Sequence, residues 1–259
     1  MKTFVLSLVL LLLGGCAGGL RIDDSQRSVS QSSRVQYVVL HYTSTNMENS
    51  LRLLTRDGVS SHYLIGDQPA RIYRLVDENR RAWHAGESEW QGRTWLNAST
   101  LGIELVNDGY RDTPAGRVYQ PYSEEQIEAL ILLLKDIVQR HNLPLGSIIG
   151  HSDIAPQRKV DPGPLFPWKR LADAGLVPWP DARAVAREQA RFAVALPTVG
   201  WFQQQLARQG YTTPQTGVLD KETRNVIAAF QMKYRQRLYD GQPDAETAAL
   251  LLVLNRMPL

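Results

Sequence analysis

The sequence predicts an α/β fold, a central mixed sheet flanked by helices, followed by a small C-terminal three-helix domain. Three observations carry this. Compact apolar runs of strand length, Tyr37–Tyr42, Leu101–Val106 and Ile148–Ile149, are interspersed with helical stretches. Ile127, Leu130, Ile131, Leu134, Ile137 and Val138 repeat at helical spacing. Near the C-terminus, the segment from Gly217 to Thr223 is echoed from Gly241 to Thr247, and in each copy a glycine turn precedes an aspartate placed to cap a helix.

Taken in order, the chain opens on Lys2 followed by an almost unbroken apolar run from Phe4 to Leu13, the pattern of a signal segment. A spanning helix needs about 20 apolar residues, so the run is too short for a stable transmembrane anchor. It ends Leu13-Gly14-Gly15-Cys16-Ala17, which looks like a bacterial lipobox, and Cys16 is the sole cysteine of the 259 residues. Residues 1–16 are therefore expected to be a lipoprotein signal with Cys16 as the acylated residue. One acyl chain holds a protein to a bilayer only marginally, whereas several give firm anchoring. Ala17 rather than Asp after the cysteine points, by analogy with known sorting rules, to the periplasmic face of the outer membrane. Residues 17–33, rich in Ser, Gln and Arg, read as a flexible tether. The stretch from Gly18 to Ser33 reaches at most about 55 Å and averages roughly 20–25 Å as a coil.

The predicted catalytic domain occupies residues 34–179. Tyr37–Tyr42 is a buried strand, 46–56 a helix with Gly58 just beyond its end, and 61–65 and 72–76 are strands about a Gly66-Asp67 turn. Residues 83–97 are loop-like, with tryptophans at 83, 90 and 95. Residues 101–106 form a further strand. Ser123 and Gln126 make a capping box for a long helix reaching about Asn142. Ile148-Ile149 leads into the central loop, and a last helix runs from 166 to 174, stopped by Gly175. After Pro178-Trp179-Pro180, residues 180–196 form a linker helix. Residues 197–259 hold three helices, about 199–209, 221–235 and 245–254.

A net charge of +3 with no Lys/Arg block disfavours nucleic-acid binding, and a single cysteine rules out an intramolecular disulfide and a Cys-rich metal site. The chemistry concentrates in Gly150–Pro164. His151 leaves an apolar run, Asp161 lies ten residues on, framed by proline and glycine, and Lys159 precedes it by two. Imidazole and carboxylate are ordinary zinc ligands, and a catalytic zinc takes three protein ligands with one open position. His41, closing the apolar run 37–42, supplies the third. Taken singly, each histidine reads more ordinarily as a core or surface residue. Two that each close an apolar run, beside the framed aspartate, bring the metal reading level with it. Glu104 is a candidate general base, although the residue alone reads more readily as an exposed position on an alternating strand. Lys159 is a candidate partner for a developing oxyanion, or a solvated lysine beside Arg158. His62 reads as a core histidine, and His141 as a partner of its helix's C-terminal dipole. His151-Ser152-Asp153 is discounted as a triad because adjacent side chains diverge.

His41 at a strand end, Trp83-His84-Ala85-Gly86, Gly102-Ile103-Glu104, Gly150-His151-Ser152-Asp153-Ile154 and Lys159-Val160-Asp161-Pro162-Gly163-Pro164 together resemble the zinc-dependent type-2 N-acetylmuramoyl-L-alanine amidases, in the AmpD/AmiD branch related to peptidoglycan recognition proteins. The resemblance covers about Arg34–Trp179. The C-terminal repeat, with Ala228-Ala229-Phe230-Gln231, resembles a peptidoglycan-binding domain of the three-helix type. The resemblance implies one Zn2+ on His41, His151 and Asp161, Glu104 as base and Lys159 at the oxyanion; Trp83 and His84, together on their loop, are read as lining the substrate groove. It implies peptidoglycan and muropeptides as substrates. The lipobox, tether and C-terminal module, which set the chain apart from the cytosolic members, imply work in the periplasm. Two other readings make distinct predictions. A non-catalytic peptidoglycan-binding protein would bind without releasing peptide. A glycosidase using Glu104 and Asp161 would survive chelation.

Overall fold

The computed structural model describes residues 20–257, so the predicted signal segment and Cys16 lie outside the described residues. Residues 20–32 contain no helix or strand, and the compact unit begins at Ser33. Strands β1 (Tyr37–Tyr42), β2 (Tyr63–Ile65), β3 (Ile72–Arg74) and β4 (Thr100–Leu105) precede a hairpin of β5 (Tyr110–Thr113) and β6 (Gly116–Tyr119), and β7 (Ile148–Gly150) follows it. The main sheet has the order β3-β2-β4-β1-β7. β2, β4, β1 and β7 run parallel, and β3 is the antiparallel edge, so the sheet is mixed as predicted. The edge pair β2/β3 is shorter than expected, and the hairpin was not expected at all.

Side chains alternate across each strand, so each β1 residue commits to one face. Val38 and Leu40, with Leu101, Ile103 and Leu105, pack against Ile127, Leu130, Leu134 and Ile137 of helix α2 (Glu124–His141). Ser123 caps α2, accepting from the Gln126 N–H at 3.3 Å. The predicted capping box is only half formed, because the Gln126 side chain turns inward. Its Nε2 donates to Ile65 O (3.1 Å) and Val106 O (3.0 Å), tying the helix to the ends of β2 and β4. Helix α1 (Met47–Arg56), capped by Asn46, lays Leu54 on Leu64 and Val106.

Two short helices follow β7: α3 (His151–Ile154), which was not predicted, and α4 (Trp168–Asp173). The C-terminal helices are α5 (Ala182–Val194), α6 (Val199–Gln209), α7 (Lys221–Tyr234) and α8 (Ala245–Leu254), close to their predicted bounds. Asp220 and Asp244, the two repeated aspartates, each cap a helix as expected, accepting from the N–H of Thr223 (2.7 Å) and Thr247 (2.8 Å). These helices do not stand apart. Tyr37, Val39 and Ile149, on the second face of the sheet, share one core with Phe202, Leu206, Val226, Ile227, Phe230 and Leu251. The sheet is therefore covered on one face by α2 and on the other by the C-terminal helices.

Candidate active site

Parallel pairing builds the site. His41 of β1 lies in register with Glu104 of β4, and Leu40 with Gly150 of β7, immediately before His151. Three neighbouring strands thus end at one place, the edge where open α/β sheets bind ligands. The loop after α3 returns Asp161 to the same spot, held by the Ser152 N–H donating to Asp161 O at 2.8 Å. The result is a cavity of about 340 Å³, lined by His41, Tyr42, Glu104, His151, Lys159 and Asp161, with Trp83 and His84 on its wall.

His41 Nδ1, His151 Nδ1 and Asp161 Oδ2 converge. The separations are 2.8 Å between the two nitrogens, 2.9 Å from His151 to Asp161 and 3.3 Å from His41 to Asp161. Tetrahedral zinc with bonds of about 2.0–2.1 Å spaces its ligand atoms about 3.3 Å apart. The surrounding hydrogen bonds fix which nitrogens carry protons. Thr100 Oγ1 donates its only proton to Leu96 O (2.7 Å), so it accepts from His84 Nε2–H (3.1 Å). His84 Nδ1 is then an acceptor and takes the Nε2–H of His41 (3.0 Å). That leaves a lone pair on His41 Nδ1. His151 donates its Nε2–H to Ala85 O (3.2 Å), which likewise frees its Nδ1. Two lone pairs and a carboxylate oxygen thus face one another with no proton among them, an arrangement that suits a cation.

The electrostatics agree. Burial, and then the neighbouring His151, lower the His41 pKa to about 4, so its ring is neutral at physiological pH. Glu104 is pushed up to about 8 by burial and then by the Asp161 charge, with Lys159 opposing. Its Oε2 is buried without a hydrogen-bond partner. An orphaned carboxylate oxygen beside the converging ligands is the second sign that these residues fit a metal ion and a polar reactant.

The other predicted residues fall as follows. Lys159 is half-buried at the cavity wall, and no carboxylate pairs with it among the described residues. Arg158 is turned away to Glu87 O (2.9 Å), so of the two adjacent cations only Lys159 lines the cavity. Trp83 sits on the rim, 50% exposed, beneath the Arg81 guanidinium. His84 lines the cavity wall, but both its ring nitrogens are engaged with His41 and Thr100. Its ring lies over Gly102, where a Cβ would come within 2.5 Å of it. His62 is a core residue, accepting from the Gly102 N–H (3.0 Å) and donating to Arg80 O (3.1 Å). His141, at the end of α2, bonds Ser33 Oγ (2.6 Å) and Glu78 (2.8 Å). Asp153 faces away from His151, toward Tyr211 and Lys233. Trp90 is buried against Tyr211, while Trp95 is 80% exposed. Tyr42 and Thr100 were missed. Tyr42 directly follows a predicted ligand, a cue that was available, whereas nothing local marks Thr100.

Comparison with known proteins follows the same lines. Residues 31–164 match the N-acetylmuramoyl-L-alanine amidase family model, and residues 196–251 match that of a peptidoglycan binding domain. The chain is 42% identical over 264 residues to N-acetylmuramoyl-L-alanine amidase AmiD of Escherichia coli (strain K12), covering 96% of this chain and 95% of that protein. It is similar in structure to the complex of E. coli AmiD with anhydro-N-acetylmuramic acid-L-Ala-D-gamma-Glu-L-Lys, at a TM-score of 0.82 and 40% identity over 91% of this chain and 94% of that one. AmpDH3 from Pseudomonas aeruginosa in complex with anhydromuramic pentapeptide gives a TM-score of 0.85 at 39% identity, covering 92% of this chain and 98% of that one. With that similarity spanning nearly the full length of each relative, the chain belongs to the N-acetylmuramoyl-L-alanine amidase family.

Proposed function

We propose that this amidase works with one zinc ion held by His41 Nδ1, His151 Nδ1 and Asp161 Oδ2, and that it cuts the amide between N-acetylmuramic acid and the L-Ala of the peptidoglycan stem peptide. The observation that carries the metal assignment is the convergence of three unprotonated acceptor atoms within 3.3 Å of one another. When bound, zinc supplies Lewis acidity toward the scissile carbonyl and the attacking water. Glu104 takes the water's proton and passes it to the leaving amine. Its raised pKa falls when a positive charge enters the site, which leaves a carboxylate basic enough to act near neutral pH. Lys159 meets the negative charge that develops on the carbonyl oxygen. His84 and Thr100 hold His41 in the tautomer and orientation that ligation needs. Trp83 offers an aromatic face at the cavity mouth to the muropeptide.

The anhydromuramyl peptides bound in the two related complexes support muropeptides as ligands here. A functional division into an amidase domain (34–179), a linker helix (180–196) and a peptidoglycan-binding domain (197–259) accords with the family matches. The lipobox sequence supports export and acylation at Cys16, with the enzyme tethered to the periplasmic face of the outer membrane. A glycosidase reading loses its carboxylate pair, because Asp161 Oδ2 converges with the two imidazole nitrogens at the proposed metal position.

Digestion of purified peptidoglycan with and without a chelator, read by mass spectrometry, tests the proposal. Free stem peptides beginning at L-Ala, lost on chelation and restored by zinc, are expected. Peptide release that survives complete removal of the metal would overturn the zinc assignment. New reducing ends would overturn the amidase one.

A further inference from the structure

Asp153 is 1% exposed and lies two residues after His151 in the four-residue helix α3. Its oxygens are fully committed. Oδ2 accepts from the Gly150 N–H (2.8 Å) and from Lys233 Nζ (3.0 Å), and Oδ1 accepts from Tyr211 Oη–H (2.6 Å). The first contact is local and closes the N-terminus of α3. The other two come from the C-terminal helical module, Lys233 from α7 and Tyr211 from just beyond α6. Lys233 is only 6% exposed, and its ammonium group lies 4.2 Å from the ring centre of Trp168. Around this pair the contact is tight. Gly210, at φ +114, presents its backbone where a Cβ would come within 2.9 Å of Trp90, and its carbonyl accepts from the Gln91 N–H at 2.8 Å.

A buried ion pair is weak as a source of stability and is best attested as a device that fixes one arrangement. Here it fixes the segment carrying two of the three candidate ligands, since Ser152, between His151 and Asp153, bonds the backbone of Asp161. We infer that Lys233 and Tyr211 of the C-terminal module are positioning residues of the amidase site. Acting through Asp153, they hold His151 and Asp161 at ligating distance. This role is separate from any binding of peptidoglycan by that module, and it rests on the zinc reading above.

The test uses the full chain. Tyr211→Phe removes one hydroxyl and keeps the ring, Lys233→Met removes the charge, and Lys233→Arg restores a cation. Leu251→Ala opens a cavity in the shared core and makes no bond to Asp153, so it serves as the control. Zinc affinity is measured by competition with a chromogenic chelator, well below each variant's unfolding temperature. Amide exchange at Gly150 and Ser152 is measured in the metal-free protein. Expected are an affinity loss of about 10-fold in Lys233→Met, the low end for residues that support metal ligands, and a smaller loss in Tyr211→Phe. Lys233→Arg recovers part of the loss. Exchange at Gly150 and Ser152 quickens in the two weakened variants, and Leu251→Ala is less stable but binds zinc normally. Wild-type zinc affinity and exchange in both Tyr211→Phe and Lys233→Met would overturn the inference alone. A wild-type chain that takes up no zinc would overturn the metal reading with it. If Lys233→Met does not fold, Tyr211→Phe against Leu251→Ala decides.

Discussion

The single hydroxyl proton of Thr100 decides the tautomers of two histidines. Because it is spent on Leu96 O, His84 must donate to Thr100 and accept from His41, which leaves His41 Nδ1 bare toward the site. Thr100→Val removes the acceptor and is expected to weaken zinc binding by about 10-fold, as read by chelator competition, with little change in fold. Glu104→Ala removes the proposed base but none of the proposed ligands. Turnover should drop by about 10²–10⁴ while zinc stoichiometry stays at the wild-type value, a contrast that metal analysis alongside peptide release would show. At this scale much was legible in the sequence. His41 and His151 each close an apolar run and Asp161 is framed by proline, so their positions carried a signal. Thr100 and His84 form a chain only through tertiary contact, which explains why His84 was read for its place on a loop and not for its two ring bonds.

Among the elements, β1 and β4 matter most, because their parallel register sets His41 beside Glu104. A one-residue slip would turn every side chain of a strand to the opposite face. Gly102 sits between these strands' functional residues, beneath the His84 ring. Gly102→Ala would place a methyl group 2.5 Å from that ring, and overpacking of this kind costs about 1–3 kcal/mol. Denaturant unfolding should show that loss, accompanied by weaker zinc binding as His84 is displaced from His41. The long apolar strands and the 3.6-residue rhythm of α2 were readable because burial selects their residues directly. The β5/β6 hairpin was not, since Tyr110-Arg111-Asp112-Thr113 is short, largely exposed and without apolar alternation. Helix α3, at four residues, is too brief to show a period.

For the whole molecule, one exposed-side cluster sets an acid limit. Glu78 accepts from Tyr63 Oη–H (2.6 Å), from Arg140 and from His141 (2.8 Å), tying the loop after β3 to the end of α2. Burial opposes its ionisation, but the hydrogen bonds from Arg140, Tyr63 and His141 prevail and hold it at about 2, against an ordinary 4.5. A carboxyl with a lowered folded-state pKa stabilises the fold above its ordinary value, and that stability is lost as pH falls through the folded one. The metal-free protein should therefore lose thermal stability between pH 4.5 and about 2, and Glu78→Gln should flatten that part of the profile. The two-faced sheet was only half legible. Helix positions in the C-terminal module followed from its repeat, but nothing in its residues announced that they would close over Val39 and Ile149.

Asp153 and Lys233 lie eighty residues apart in the chain. A polypeptide emerging from the ribosome N-terminus first has therefore made His41, Glu104, His151, Lys159 and Asp161 well before Lys233, the residue proposed to steady the His151–Asp161 segment. Nascent and truncated chains would then carry these chemical groups without the contacts that α7 brings to Asp153. On the inference drawn above, the docking of α7 completes the proposed zinc site, and chains that lack it should bind zinc about 10-fold more weakly.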